Sequence, residues 1–288
     1  MSRALTLFLT LLAMIAFAGN SLLCRLALKQ TSIDAASFTS IRIISGALTL
    51  WLIMRMRVGS HSIAGSWPSA LALFVYAAGF SYAYISLPTA TGALLLFGAV
   101  QATMIGYGLW SGERLGMRQS AGLICAFSGL AGLLLPGLSA PPLTGSVLML
   151  GAGVAWGVYS LRGKGAGDPI SVTTGNFLRA MPMAAVLSVV TIPWASLDSA
   201  GFWYAIFSGA LASGVGYATW YTALHGLKAT SAATVQLSVP VIAAAGAIIL
   251  LNEAITVRLL FASAAILGGI ALVIVDRRAV SGNQEGRA

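Results

Sequence analysis

The sequence predicts an all-α integral membrane protein with ten transmembrane helices, built as a five-plus-five inverted repeat with both termini in the cytoplasm. The composition indicates a membrane protein, because 58% hydrophobic and only 8% charged residues, with a mean hydropathy of +0.90, leave too little polar surface for a water-soluble protein of 288 residues. Ten apolar stretches of about twenty residues follow one another, and this length crosses a hydrocarbon core of roughly 30 Å. The two halves of the chain also resemble each other.

The internal repeat is carried by charged residues, which are rare in this chain. When the second half is shifted by 140 positions, it aligns with residues 78–136 without a gap. The matched charges, two pairs of which need small gaps, are Glu113 with Glu253, Arg118 with Arg258, Arg25 with Arg162 and Arg42 with Arg179. The predicted units are a first repeat at 1–140, a second repeat at 141–278 and a disordered cytoplasmic tail at 279–288.

Each repeat holds five apolar stretches. Because five is an odd number, the second repeat must enter the membrane in the opposite sense to the first. Inverted repeats are typical of secondary transporters, in which two related arrangements of the helices open a central site to either side.

The predicted helices of the first repeat lie at 4–28, 34–57, 66–86, 90–110 and 115–136. The turn Gly65-Ser66-Trp67-Pro68 precedes the third helix, and Leu87-Pro88-Thr89 separates the third from the fourth. The first stretch follows Arg3 and is like a secretory signal. Its cleavage would remove the partner of the sixth helix, and we therefore expect it to remain as a membrane span.

The predicted helices of the second repeat lie at 142–162, 170–193, 199–225, 229–250 and 255–276. They begin after Pro141-Pro142, and the run Gly165-Ala166-Gly167-Asp168-Pro169 separates the sixth helix from the seventh. The connections are too short for a soluble domain, so any function must lie within the helical bundle.

The distribution of Lys and Arg predicts the orientation, because these residues accumulate in cytoplasmic loops. With the N-terminus inside, only Arg25, Lys29 and Arg258 are external. The cytoplasmic set is Arg3, Arg55, Arg57, Arg114, Arg118, Arg162, Lys164, Lys228, Arg277, Arg278 and Arg287. The net charge of +9 is therefore dispersed among short loops, and we expect no nucleic-acid partner.

The sequence predicts no enzyme, metal site or cofactor. His61 and His225 are isolated at the ends of spans, and Cys24 and Cys125 lack metal-ligand or redox spacing, which indicates packing roles. No carboxylate lies in the middle of a predicted span. A proton-driven exporter of cationic drugs needs a membrane-embedded acid, so the sequence favours downhill movement of a neutral or zwitterionic solute.

Several short motifs carry a resemblance to a known family. They are Ser111-Gly112-Glu113-Arg114-Leu115 and Leu251-Asn252-Glu253-Ala254-Ile255, each before a Gly-rich span, the run Trp156-Gly157-Val158-Tyr159-Ser160, and Pro240. With the ten-helix plan, they resemble the EamA-type branch of the drug/metabolite transporter superfamily over residues 5–278. Within this branch the chain looks most similar to YddG-type amino-acid exporters, which implies outward movement of aromatic and other amino acids across a bacterial inner membrane. It departs from the pattern at Phe17, where the family usually has Trp, and at Val100, which the repeat aligns with Pro240.

We expect a substrate cavity with aromatic and amide walls, because aromatic side chains recur on single faces of the third, sixth and eighth helices. Tyr76, Phe80 and Tyr84 form one such face. The predicted substrate-binding residues are Phe17, Asn20, Phe80, Tyr82, Phe97, Gln101, Trp156, Tyr159, Tyr217, Trp220, Tyr221, Gln236 and Ser238. Packing or anchoring at the membrane surface is the alternative for each of the Tyr and Trp residues alone, except Trp156. Pro240 is expected to free the carbonyl group of Gln236 from its helical bond.

Four charged residues are predicted to have gating or structural roles. Arg42 and Arg179 lie about 12 to 14 Å into their spans at 1.5 Å per residue. They either bind a carboxylate or gate the cavity, or else bond to backbone carbonyl groups or extend along their helices. Glu113 and Glu253 each precede a helix, where a carboxylate stabilises the N–H groups of that helix; gating or ion coupling is the alternative.

The sequence thus predicts a secondary transporter that exports amino acids or similar small metabolites by alternating access. Export of other amphiphilic metabolites or drugs is the alternative. We expect the protein to act as a monomer, with a small-molecule substrate and the lipid bilayer as its partners.

Overall fold

The computed structural model describes residues 2–57, 62–112, 114–137, 140–163, 166–224, 227 and 235–285, with 275–285 described by their backbone alone. Within these ranges the chain forms helices and no strands, which confirms the predicted all-helical class. The helices are α1 (Arg3–Gln30), α2 (Ala35–Met56), α3 (Trp67–Tyr84), α4 (Thr89–Trp110), α5 (Met117–Leu134), α6 (Leu143–Gly163), α7 (Pro169–Thr191), α8 (199–224), α9 (Ser238–Leu251) and α10 (Val257–Glu285).

Helix α8 has three segments. An α-helical segment at Ser199–Phe207 leads into a π-helical segment at Ser208–Val215, and Gly216–Leu224 is again α-helical. A short 3-10 helix, Ile192–Trp194, follows α7.

Six of the described helices are long and apolar enough to cross a membrane, namely α1, α2, α4, α6, α7 and α10. Of the other four, α3 and α5 have 18 residues each, α9 has 14, and α8 is divided by its π-helical segment. The polar Tyr and Ser side chains of α3 also lower its hydropathy. The ten-span arrangement therefore stays a prediction.

One predicted boundary is wrong, and another lies outside the described residues. Residues 235 and 236 are helical, a turn follows at Leu237, and α9 then runs from Ser238 with Pro240 in its first turn, while residues 228–234, where the predicted helix begins, are not described. Because proline has no N–H to donate to the carbonyl group of Gln236, a helix cannot continue undisturbed through this point. At the other end of the chain, the helical backbone of α10 reaches Glu285, whereas a disordered tail was expected from residue 279. No proline interrupts 277–285, and its single glycine costs a helix only about 1 kcal/mol. Residues 286–288 lie outside the described ranges.

One aspartate precedes the second helix of each half, caps its first turn and connects it to a neighbouring loop. Asp34 accepts hydrogen bonds from the N–H groups of Ala36 (2.9 Å) and Ser37 (3.0 Å) at the start of α2, and from that of Ser196 (2.9 Å) in the loop before α8. Partial burial alone would raise the pKa of Asp34, but these hydrogen bonds hold the pKa below its ordinary value. Asp168 caps α7 through the N–H group of Ser171 and pairs with Arg57 (3.0 Å) before α3.

The helices pack in pairs that correspond between the two halves. Helix α3 packs on α6 and α7, and α8 packs on α1 and α2. Helix α4 packs on α6, and α9 packs on α1, while α2 with α7, α4 with α9 and α5 with α10 pack across the halves. When each helix number is replaced by that of its counterpart five places along, this set of pairs is reproduced.

Candidate functional site

A cavity lies near the centre of the bundle, between helices from both halves of the chain. Its volume is about 410 Å³, including space open to solvent. The lining residues are Phe17, Asn20 and Ser21 of α1, Tyr76 and Phe80 of α3, Leu96 and Phe97 of α4, Trp156 of α6, Ala212 and Tyr217 of α8, and Gln236 before α9.

The cavity brings together seven of the thirteen residues that the sequence predicts for the substrate site. These are Phe17, Asn20, Phe80, Phe97, Trp156, Tyr217 and Gln236. The other six lie outside its lining: Tyr82, Gln101, Tyr159, Trp220, Tyr221 and Ser238. Three of them contact the wall or each other. Trp220 packs edge-on against Phe17, with ring centroids 6.0 Å apart, and Tyr159 stacks on Trp156 at 5.3 Å and interacts with Tyr221.

Four lining residues were not among the predicted site residues. Tyr76 shares the aromatic face of α3 with Phe80, so helical spacing points to it, and Ser21 adjoins Asn20 in the sequence. Leu96 and Ala212 carry no signal of their own, because small and aliphatic residues are common throughout this chain.

Trp156 is the centre of the aromatic wall. Its ring lies 4.7 Å from that of Tyr76, 5.2 Å from that of Tyr217 and 5.3 Å from that of Tyr159, measured between centroids. The indole is half-buried, while Tyr76, Tyr159 and Tyr217 are buried. The neighbours hold the indole by stacked and tilted contacts, which are favourable geometries for aromatic pairs.

A chain of hydrogen-bonded polar side chains continues from Tyr76. The side-chain amide of Asn20 donates to the Tyr76 hydroxyl (3.3 Å) and accepts from the Ser208 hydroxyl (2.6 Å). Ser208 begins the π-helical segment of α8, and Ser213, five residues on, donates its hydroxyl proton to the Ser208 carbonyl group (3.0 Å). The π-helical segment thus places two serines beside α1 and α2, and such segments often occur at functional sites.

Arg42 lies directly behind this polar wall. Its Nη2 donates to the Tyr76 hydroxyl (2.9 Å), and its Nε donates to Ser213 Oγ (3.4 Å). The guanidinium carbon lies 5.1 Å from the centroid of the Tyr76 ring and 4.9 Å from that of Phe80. The side chain is buried away from the protein surface, and within the described ranges it binds no backbone carbonyl group.

Arg179, which the repeat pairs with Arg42, has a different environment. Its Nη1 donates to the carbonyl oxygens of Ala64 (2.7 Å) and Gly175 (3.0 Å). These bonds connect α7 to the segment before α3. They match the alternative in which Arg179 bonds to backbone carbonyl groups and does not bind a substrate carboxylate.

Glu253 joins three helices at one end of the bundle. Its carboxylate lies 3.2 Å from the Arg25 side chain, and both side chains are less than 10% exposed. It also accepts from the N–H group of Thr89 (2.7 Å), the first residue of α4. The prediction that Glu253 binds the N–H groups at the start of the following helix, α10, is therefore wrong. Asn252 adopts a left-handed conformation (φ 51°) at the end of α9, and the chain after it brings Glu253 to α1 and α4. Glu113 lies outside the described residues.

A central cavity between membrane-length helices, lined from both halves of one chain, is the arrangement of a membrane transport protein. Comparisons with known proteins agree. The EamA-like transporter family matches residues 143–275. An uncharacterised protein of Pseudomonas aeruginosa is 57% identical over 273 residues, which cover 94% of this chain and 95% of that protein.

More distant relatives and a solved structure point the same way. An uncharacterised transporter of Archaeoglobus fulgidus is 26% identical over 86% of this chain and 90% of its own length. The uncharacterised transporter YvbV of Bacillus subtilis is 25% identical over 84% of this chain and 83% of its own length. A crystal structure with 18% identity has the same fold, with a TM-score of 0.65 over 94% of this chain and 98% of that chain. The chain belongs to the EamA-like transporter family, within the drug/metabolite transporter superfamily; it is a multi-pass membrane transporter and not an enzyme.

Proposed function

We propose that this transporter exports neutral amino acids, aromatic ones among them, or similar small metabolites. The carrying observation is the chemistry of the central cavity, which is lined by aromatic rings and by the amides of Asn20 and Gln236. None of the described lining residues is acidic or basic. An amino acid fits this chemistry, because aromatic rings hold an apolar side chain and attract an ammonium group, while amides orient the polar end.

Alternating access between two inverted repeats is the proposed mechanism. The correspondence of helix pairs between the halves supports a two-fold relation of the repeats, since each of the principal pairs described above has a counterpart in the other half. The close contacts between α5 and α10 agree with this two-fold relation of the repeats. Gly122 meets Gly269, and Gly129 meets Ala262, and a shift of 140 positions converts one contact into the other.

The ion pair of Arg25 and Glu253 is the proposed gate at one end of the cavity. By the charge count this end faces the periplasm, with both termini in the cytoplasm of a bacterial cell and the protein in the inner membrane. The repeat places Arg162 and Glu113 as the corresponding pair at the cytoplasmic end. Arg162 is exposed and donates to the Ser69 hydroxyl (3.1 Å), whereas Arg25 is buried on Glu253. This difference supports a conformation that is closed toward the periplasm, with exchange of the two gates during transport.

We further propose that transport runs down the substrate gradient and that one chain suffices. None of the described lining residues is acidic, so the usual site for a coupled proton is missing from this part of the chain.

A counterflow assay tests this proposal. Purified protein in liposomes loaded with unlabelled phenylalanine should accumulate labelled aromatic and other neutral amino acids, and empty liposomes should not. The exchange should persist when an uncoupler collapses the proton gradient. Failure to exchange any amino acid of the panel, with protein that is monodisperse, would remove the proposed substrate class, and exchange that stops with the uncoupler would remove downhill transport.

A further inference from the structure

Arg42 is a buried cation that has no carboxylate partner among the described residues. Its side chain is 2% exposed, and its two bonded nitrogens donate to the neutral hydroxyl groups of Tyr76 and Ser213. Its remaining nitrogen, Nη1, is buried and has no hydrogen-bond partner among the described residues. A buried guanidinium is costly unless its charge is compensated, so this arrangement needs an explanation.

Other arginines of the chain have the partners that Arg42 lacks. Arg25 lies on Glu253 and also donates to the carbonyl groups of Tyr84 and Ile85. Arg179 has two carbonyl oxygens, and Arg57 has the carboxylate of Asp168.

Tyr76 supplies a second unused donor at the same place. A phenolic oxygen accepts up to two hydrogen bonds and donates one. The Tyr76 oxygen accepts from Arg42 Nη2 (2.9 Å) and from Asn20 Nδ2 (3.3 Å), which leaves its own proton without an acceptor among the described residues. Arg42 Nη1 and the Tyr76 hydroxyl group are therefore two donors without acceptors among the described residues. The two side chains are hydrogen-bonded to each other.

Tyr76 lines the cavity, and Arg42 lies immediately behind it. Tyr76, Asn20 and Phe80 all line it, and the guanidinium of Arg42 contacts the rings of Tyr76 and Phe80 from behind. The aromatic rings of Trp156 and Tyr217 lie next to Tyr76 on the same cavity. A ligand that occupies this space can thus place an oxygen near the two donors and an apolar group against the rings.

We propose that Arg42 and Tyr76 bind the carboxylate of the transported solute, so that the substrate class is restricted to small molecules with a free carboxylate. This inference rests on the proposed function for the identity of the solute. A carboxylate has two acceptor oxygens, which match the Nη1 group and the Tyr76 hydroxyl, and its charge compensates the guanidinium. An amide or ester of the same shape accepts hydrogen bonds but leaves the charge of Arg42 uncompensated.

The test compares a carboxylate with its neutral amide. Unlabelled phenylalanine or phenylalaninamide is added as a competitor during counterflow of labelled phenylalanine into liposomes. For the natural sequence we expect the acid to reach half-inhibition at a concentration at least about tenfold lower than the amide, the discrimination typical of a hydrogen bond to a charged group. In Arg42→Gln this ratio should fall to within about threefold. Arg179→Gln, which alters the matched arginine of the other repeat, should keep the full ratio.

Tyr76→Phe provides a second variant if Arg42→Gln does not yield monodisperse protein. It keeps the ring and removes the donated proton, and it should also reduce the ratio. The proposal is overturned if the protein of natural sequence does not distinguish the acid from the amide. It is also overturned if Arg42→Gln, or Tyr76→Phe in its place, keeps the full ratio of the two half-inhibition concentrations.

A binding measurement separates this inference from the proposed function. If no amino acid is exchanged, the melting temperature is measured with phenylacetate or phenylacetamide. The carboxylate site is retained, and amino-acid export is abandoned, if only phenylacetate raises the melting temperature and this effect is lost in Arg42→Gln. Tyr76→Phe replaces Arg42→Gln if that variant is not monodisperse. Equal effects of the two probes overturn the carboxylate site as well.

Discussion

Trp156 is the residue at which the aromatic contacts of the cavity converge. Its ring adjoins those of Tyr76, Tyr159 and Tyr217, which come from three different helices. The indole lines the cavity and is only half-buried, so part of its surface is available to a ligand. Its truncation should therefore alter selectivity more than stability.

Trp156→Ala should reduce phenylalanine transport about tenfold more than threonine transport, since the missing ring contributes mainly to bulky aromatic substrates. The melting temperature should change little, whereas loss of a core tryptophan typically costs about 3 to 5 kcal/mol. Rates are measured in liposomes and normalised to monodisperse protein. The control is Trp110→Ala, since Trp110 is 86% exposed and should affect neither quantity. Equal losses for both substrates, together with a lower melting temperature, would assign Trp156 to packing.

Helical spacing locates the aromatic wall but does not distinguish neighbouring faces of one helix. Tyr82 lies two positions from Phe80 and therefore on another face of α3, while Tyr76, four positions away, shares the cavity face. The contact of Glu253 with Arg25 could not be predicted, because it joins residues 228 positions apart and depends on the left-handed conformation of Asn252.

At the scale of elements, glycine permits the closest approach between helices. A Cβ atom added at Gly269 of α10 would overlap the carbonyl oxygen of Gly122 in α5, and one added at Gly122 would lie 2.5 Å from the carbonyl oxygen of Gly269. In a membrane, where lipid is as apolar as the side chains, such backbone contacts contribute much of the association between helices.

Gly269→Ala should lower the melting temperature, because overpacking of a close contact commonly costs about 1 to 3 kcal/mol. The neighbouring Gly268 is the matched control, since a Cβ atom there has nothing within 4 Å. Gly268→Ala should leave the melting temperature unchanged or raise it slightly, as alanine is the better helix former. Identical melting temperatures for the two variants would contradict the proposed tight crossing of α5 and α10.

The two ion pairs of the described residues offer a second comparison between elements. Arg25 with Glu253 is buried and connects α1 to α4 and α9, whereas the side chains of Arg57 and Asp168 are 39% and 36% exposed. Removing one partner of a buried pair leaves an uncompensated charge, while an exposed pair contributes little.

Arg25→Gln should therefore reduce the free energy of unfolding by roughly 3 to 5 kcal/mol. Arg57→Gln should reduce it by less than about 1 kcal/mol. Both are measured by denaturation of purified protein in detergent, with Glu253→Gln as the reciprocal variant of the buried pair. A loss for Arg25→Gln no larger than that for Arg57→Gln would mean that Arg25 and Glu253 do not hold this end of the bundle.

For the whole molecule, composition and apolar length are enough to predict a helical membrane protein, and most helix ends follow from local turn residues. Apolar length alone extends the ninth helix through Pro240 without interruption, whereas the helix is broken at Leu237, near the point where Pro240 has no N–H group to donate. The centre of the cavity could not be located from the sequence, since it depends on which faces of α1, α3, α6 and α8 meet.

The orientation is tested by a fusion of a reporter that is active only in the cytoplasm, placed after Arg278. The predicted topology places eleven basic residues on the side of both termini and three on the other, so the fusion should be active. The control is the same reporter inserted after Thr31, between α1 and α2, which should be inactive. Activity at Thr31 with inactivity after Arg278 would reverse the orientation, and with it the side that the Arg25 pair closes.

The π-helical segment of α8 has an energetic consequence for a protein built from two similar halves. Its counterpart helix, α3, is α-helical throughout, so the halves differ at the elements that carry Tyr76 and Tyr217. If the halves were identical, exchange of their conformations would produce two states of equal free energy, each occupied half of the time. A local difference of about 1.4 kcal/mol already changes that ratio tenfold. Under the proposed alternating access, a difference of this size at α8 would favour one resting state, in which the empty transporter presents one particular side to the next solute.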